Sequence, residues 1–170
     1  MIARTLLVTG LLLVAVVLET SVFPSLTLLG FRPDLLLLLT VALALRDGVL
    51  TGARVGAVAG LLGDLLLSTA PAGVGMLVLA VTGALAGFSR PYLAPTSVTA
   101  PIALTAGASV LGTTAIGVLT GLLSDEPTST ALVIQAALAV GIYNTLLFPL
   151  ANLVARRLSE AFPLRSAAFE

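Results

Sequence analysis

Six long apolar stretches, each closed by a short break of proline, glycine or charged residues, limit what this chain can fold into. The stretches fall at about residues 4–22, 34–46, 50–69, 72–88, 100–123 and 130–154. Most of them are long enough to cross, as helices, a hydrocarbon core of roughly 30 Å. They lack the alternation of polar and apolar residues that is typical of membrane barrel strands. The sequence therefore predicts an all-α integral membrane protein with six transmembrane helices.

The composition agrees with a membrane protein and excludes several kinds of chemistry. Only 9% of the residues are charged, against roughly 25% in soluble domains. The chain has no Cys and no His, which removes disulfides, the usual zinc sites and Cys-His or Ser-His catalysis. Its net charge is zero, so no basic arm is left for nucleic acid. We expect no catalytic, metal-binding or cofactor-binding residue and no nucleic-acid partner.

The arginines predict the orientation in the membrane. An even number of helices puts both termini on one side, and that side would carry every arginine of the chain except Arg32. The positive-inside rule therefore places both termini in the cytoplasm. We expect residues 1–160 to form a single six-helix transmembrane domain and residues 161–170 to form a cytoplasmic tail.

The second helix is predicted to be short. Its apolar run, residues 35–45, spans only about 17 Å at 1.5 Å per residue. Either it lies deep in a bundle that thins the bilayer, or Arg32 and Arg46 snorkel and extend the span. A re-entrant pair with helix 3 is a third interpretation. Arg46 suits a helix C-terminus, and Gly48 suits the left-handed conformation that often follows one.

Asp64 is the charge that most needs an explanation, because an acidic side chain in hydrocarbon is costly. It follows Arg54 by ten residues, or about 15 Å of helix, which places it in the outer half of the membrane. Glu19 and Arg32 approach the same leaflet. Opposite charges in a cluster of these three side chains would compensate one another. Alternatively, Asp64 reaches interfacial water or caps a neighbouring backbone; a proton relay or ligand site is a third alternative.

Glycine recurs every fourth residue on helix 3, at Gly52, Gly56 and Gly60. Small residues at this spacing let another helix backbone approach closely. The favoured interpretation is packing within the chain's own bundle, and the alternative is a docking face for the helix of another protein.

Helix 6 carries two features to which we assign structural roles. Asn144 lies near its middle and should hydrogen-bond to a neighbouring helix. Pro149 removes one backbone donor and is predicted to kink the helix.

Several of these motifs, taken in chain order, resemble the MreD family of bacterial rod shape-determining membrane proteins. The resemblance runs from residue 23 to residue 157. It rests on Phe31-Arg32-Pro33-Asp34 before a Leu-rich short helix, Gly52, Gly56 and Gly60-Leu61-Leu62-Gly63-Asp64-Leu65-Leu66, a small-residue turn at residues 73–75, and Leu147-Phe148-Pro149-Leu150 before Arg156-Arg157.

The resemblance implies a multi-pass protein of the bacterial inner membrane that is not an enzyme. It implies direct helix–helix binding of MreC, and work in the elongation machinery with MreB, RodA and a class B penicillin-binding protein, where peptidoglycan synthesis maintains cell shape. The family is also similar in fold to the substrate-binding S components of energy-coupling-factor vitamin transporters. A small-molecule transporter subunit is therefore the alternative function, with its ligand near Glu19, Arg32 and Asp64.

The resemblance also marks recurring positions without giving any of them a catalytic task. We expect Asp64 and Arg32 to set the geometry of helices 1 to 3, and the adjoining surface to receive the single helix of MreC. These positions are Arg32, Pro33, Asp34, Gly56, Gly60, Asp64 and Pro149.

Overall fold

The described residues form a bundle of six α-helices. A computed structural model describes residues 2–22, 30–67, 71–93, 97, 99–123 and 129–162. The helices are α1 (Ile2–Ser21), α2 (Leu35–Asp47), α3 (Val49–Leu66), α4 (Val74–Ser89), α5 (Thr99–Leu123) and α6 (Thr130–Ala161). A 3₁₀ turn, Arg90–Tyr92, follows α4. The predicted all-α class is confirmed.

Five of the helices, all except α2, are long and apolar enough to cross a membrane. The chain is therefore a multi-pass membrane protein. With 13 residues, α2 is about 20 Å long, short of the roughly 30 Å of a bilayer core. Six spanning helices and two cytoplasmic termini remain predictions. So does the division into a membrane domain and a tail, because α6 ends at Ala161 and residues 163–170 lie outside the described residues.

The short helix α2 lies at the centre of the bundle. Every residue from Leu36 to Ala44 is buried, and α2 packs against all five other helices. A helix that is apolar all round is stable only when it is surrounded, and the run of five leucines from Leu35 to Leu39 has this character. The other helices expose leucine and valine on their outer faces, as helices in contact with lipid do.

The chain reverses direction sharply between α2 and α3. Gly48 has a φ of +88° and a ψ of −173°, and its N–H donates to the carbonyl of Ala44. The positive φ agrees with the prediction, but the ψ is extended rather than left-handed helical.

Most of the arginines lie at one end of the bundle. This arginine-rich end contains the N-termini of α1 and α3 and the C-termini of α2, α4 and α6. The arginines there are Arg4, Arg46, Arg54, Arg90, Arg156 and Arg157. The opposite, acidic end holds Arg32 with Glu19, Asp34 and Asp64.

Candidate functional site

Two carboxylates close the N-terminus of α2 inside the bundle. Asp34 is the N-cap residue, and its Oδ1 accepts a hydrogen bond of 2.8 Å from the N–H of Leu37. The Oε1 atom of Glu19, on α1, accepts from the N–H groups of Leu35 and Leu36. The first four N–H groups of a helix have no partner within it, and an acidic group there also opposes the positive end of the helix dipole. The side chains of Glu19 and Asp34 thus accept the hydrogen bonds that water would accept at an exposed helix start.

Asn144 ties this helix start to the middle of α6. Its Oδ1 accepts from the backbone N–H of Asp34 at 3.3 Å, and its Nδ2 donates to the Oγ of Ser109 on α5 at 3.0 Å. The Asn144 side chain is fully buried. The start of α2 therefore lies level with the middle of α6, and the segment before α2 extends into the bundle.

Asp64 caps a different helix, α4. Its Oδ2 accepts from the N–H of Gly73 at 2.8 Å and of Met76 at 3.1 Å, and its Oδ1 accepts from the N–H of Gly75 at 3.0 Å. The side chain is 7% exposed. Gly73, the N-cap residue, has a φ of +98° and no side chain that could cap the helix. A carboxylate from α3 supplies the cap instead. Asp64 therefore fastens the last turn of α3 to the start of α4.

Arg32 does not compensate these carboxylates by direct contact. Its side chain is exposed, and no ion pair joins it to Glu19, Asp34 or Asp64 in the part of the chain that the structure describes. Of the interpretations of Asp64, the charge-compensating cluster with Glu19 and Arg32 is therefore not formed by direct contacts among the described residues, and the cap on a neighbouring backbone agrees with the hydrogen bonds of Asp64. The oxygens of the buried carboxylates instead accept hydrogen bonds from backbone N–H groups at the N-termini of α2 and α4.

A cavity of about 170 Å³ nevertheless brings these side chains around one space at the acidic end. Glu19, Arg32, Asp34 and Asp64 line it, together with Thr113 of α5. The Oγ1 atom of Thr113 is buried and has no hydrogen-bond partner among the described residues. Non-helical backbone at membrane depth is stable only where it is buried in protein or lines a water-filled cavity. The cavity therefore accounts for how residues 32–34 are accommodated.

The glycines of α3 lie against the backbone of α4. A Cβ on Gly52 would lie 2.2 Å from the carbonyl oxygen of Gly83, a Cβ on Gly56 would lie 2.0 Å from that of Leu79, and a Cβ on Gly60 would lie 2.2 Å from that of Gly75. No real Cβ tolerates such distances, so the two backbones touch at each turn. The stripe is filled by the chain's own helix and offers no room for the helix of another protein.

Pro149 lies on the exposed side of α6, which runs without interruption from Thr130 to Ala161. Its missing N–H leaves the carbonyl of Thr145 without the usual donor four residues later. The neighbouring Phe148 is buried, so the helix keeps its packing face through the proline.

The arginine-rich end contains a buried polar cluster that the sequence did not reveal. Arg4 forms an ion pair with Asp47, and its Nη1 donates to the carbonyl of Phe162 at 2.6 Å. The Oγ of Ser159 donates to Asp47 at 3.1 Å. This Arg4–Asp47 cluster joins the first turn of α1 to the end of α2 and the end of α6. An arginine and an aspartate at two helix ends were the only available signal, and that signal does not specify which helix ends meet.

A second polar contact lies nearby. The Nε and Nη2 atoms of Arg46 donate to the Oδ1 of Asn152 at 3.2 and 3.0 Å. It holds the C-terminal turn of α2 against α6.

The described residues contain no group of three or more His, Cys, Asp or Glu side chains that would hold a metal ion. The carboxylates around the cavity serve as helix caps. The hydrogen bonds of these side chains hold the helices in position relative to one another.

Comparison with known families gives one result. The family described as rod shape-determining protein MreD matches residues 1–157, which is most of the chain. No curated protein and no solved structure matches.

Proposed function

Because this chain belongs to the MreD family of rod shape-determining membrane proteins, we propose that it is a non-enzymatic scaffold of the cell-elongation machinery. In this role it lies in the bacterial inner membrane, binds MreC through helix–helix contact, and helps to position peptidoglycan synthesis by RodA and a class B penicillin-binding protein relative to MreB. The family match over residues 1–157 carries the proposal. The family is one of shape-determining proteins and is not a known enzyme family.

The partner helix must bind a face other than the glycine face of α3. The glycines of α3 are covered by α4, so the partner helix cannot use them. A groove of about 290 Å³ between α4 and α5 is open instead, and Ala86, Gly107 and Ala108 line it. Small residues permit close approach of a partner helix.

Gly107, together with the small residues beside it, supports this groove as the partner site. A Cβ there would meet no atom within 4 Å, so the chain's own packing does not require glycine. Glycine inside a helix is nonetheless less stable than alanine by roughly 0.5–1 kcal/mol. Close packing of the single MreC helix against Gly107 would explain why this position is a glycine.

Gly107→Leu tests this face, and Gly10→Leu is its matched control. Gly10 on α1 also has nothing within 4 Å of a Cβ, so neither substitution should disturb the fold. We expect Gly107→Leu to reduce co-purification of MreC and to fail to restore rod shape in cells depleted of the native protein, while Gly10→Leu behaves like the wild type.

Each other outcome is informative. Loss of MreC with Gly10→Leu alone would move the site to α1, and retention of MreC by both variants would exclude both faces. Normal rod shape after depletion of the protein itself would overturn the scaffold proposal.

The alternative function, a substrate-binding subunit of a small-molecule transporter, is favoured by one observation. The cavity at the acidic end has an arginine and three carboxylates in its wall. This alternative predicts a small solute that co-purifies with the protein and raises its melting temperature, with the effect lost in Arg32→Gln. It also predicts genes for an ATP-hydrolysing module beside this one, whereas the scaffold predicts a neighbouring gene for MreC.

A further inference from the structure

A cleft between α1 and α3, at the arginine-rich end, is lined by both polar and apolar side chains. Its volume is about 230 Å³. Its lining mixes polar side chains, among them Arg54, Thr9 and Thr51, with the valines Val8, Val55 and Val58. The two helices begin at the same end, so the cleft lies along the first halves of α1 and α3.

Arg54 supplies a positive charge that nothing else in the described chain neutralises. Its side chain is exposed, and it makes no hydrogen bond or ion pair with any described residue. The other arginine of the cleft, Arg4, is paired with Asp47 and donates to the carbonyl of Phe162. The cleft therefore has one uncompensated guanidinium, from Arg54.

The threonines of the cleft add hydrogen-bond donors. The hydroxyls of Thr40, Thr105 and Thr145 donate to carbonyls four residues earlier in their own helices. Those of Thr9 and Thr51 make no hydrogen bond with the described residues, and their oxygens are not among the buried atoms without partners. Both hydroxyls are thus accessible and open to a ligand.

We propose that this cleft binds the phosphodiester headgroup of an anionic glycerophospholipid such as phosphatidylglycerol. The guanidinium of Arg54 and the hydroxyls of Thr9 and Thr51 donate to phosphate oxygens, and an acyl chain follows Val55 and Val58 towards the bilayer centre. Basic pockets between membrane helices recognise lipid headgroups in this way. A zwitterionic lipid such as phosphatidylethanolamine is disfavoured, because no carboxylate that lines the cleft would pair with its amine.

Native mass spectrometry of the full-length protein, with equal amounts of phosphatidylglycerol and phosphatidylethanolamine, tests the site. We expect the wild type to retain phosphatidylglycerol preferentially, and Arg54→Gln to bind it about fivefold more weakly, since one arginine near a membrane surface contributes roughly that much. Arg157→Gln is the matched control, because it removes an equal charge from an exposed position at the same end but outside the cleft.

Thr51→Val, which keeps the shape of the side chain, should also weaken binding while leaving the melting temperature of the lipid-free protein unchanged. Equal weakening by Arg54→Gln and Arg157→Gln would show diffuse attraction to surface charge and overturn the site. Equal retention of the two lipids would also overturn it. Full displacement of the lipid by millimolar inorganic phosphate would identify a free-anion site instead.

Discussion

The carboxylate of Asp64 occupies the space that a side chain on Gly75 would fill. The Oδ1 atom accepts a hydrogen bond of 3.0 Å from the N–H of Gly75, and a Cβ on Gly75 would lie 2.3 Å from the same oxygen. The buried acid and the glycine therefore depend on each other. The contact fixes the C-terminal end of α3 and the N-terminal end of α4 at a single register.

Gly75→Ala should destabilise the protein by displacing this carboxylate from its three N–H donors. A buried polar group left unsatisfied costs about 1–3 kcal/mol, which a shift in the denaturant midpoint of the purified protein would measure. Gly107→Ala is the control, because its Cβ meets nothing. Equal midpoints for the two variants would contradict the described cap.

Gly56→Ala should separate α3 from α4. Its Cβ would lie 2.0 Å from the backbone oxygen of Leu79, and a backbone cannot move aside as the end of a side chain can. We expect a loss of about 2 kcal/mol or more, the scale of strain from overpacking. Gly10→Ala should instead be neutral or stabilising by up to about 1 kcal/mol, as an unhindered Gly→Ala change in a helix is. Thermal melting in detergent would compare them.

Asp47→Leu should be strongly destabilising, because it leaves the buried Arg4 without its partner. Breaking a buried pair from one side costs about 3–5 kcal/mol. The double variant Arg4→Leu with Asp47→Leu should recover part of that loss, and a double-mutant cycle would measure the coupling. Glu160→Gln removes one partner of an exposed pair with Arg156 and should have no measurable effect. Additive single and double variants would argue against the ion pair.

Asn144→Leu should loosen the contact between α5, α6 and the start of α2. The side chain bonds both the N–H of Asp34 and the Oγ of Ser109, and such contacts in membranes are worth about 1 kcal/mol each. Hydrogen exchange of the amide of Asp34 should accelerate. Gln135→Leu, on the exposed side of the same helix, should leave that exchange rate unchanged.

The sequence predicted those parts of the fold that depend on local pattern. Apolar runs and their breaks located the helices, and the spacing of Gly52, Gly56 and Gly60 predicted a close helix contact. The favoured interpretation, packing within the bundle, agrees with their position against α4. Gly75 and Gly83, which carry the matching face of α4, were visible in the sequence, but periodicity does not show which two faces meet.

The contacts of the acidic residues were less predictable. One interpretation placed Glu19 in a charge-compensating cluster with Arg32 and Asp64, and the structure shows that Glu19 caps the N-terminus of α2. That role depends on the depth at which α2 starts, which α6 sets through Asn144. For Asp64 the sequence analysis already offered the cap of a neighbouring backbone as an alternative, and the hydrogen bonds from Gly73, Gly75 and Met76 agree with it. The sequence did not show which helix end supplies these N–H groups, because every residue except proline carries one.

The Arg4–Asp47 cluster bears on how the protein is assembled. Two of its four members, Ser159 and Phe162, belong to the last helix and the residue that follows it, whereas Arg4 lies in the first turn of the first helix. During synthesis Arg4 thus acquires these partners only after α6 has been made and has joined the bundle. A chain without α6 leaves Arg4 and Asp47 without the contacts to Phe162 and Ser159.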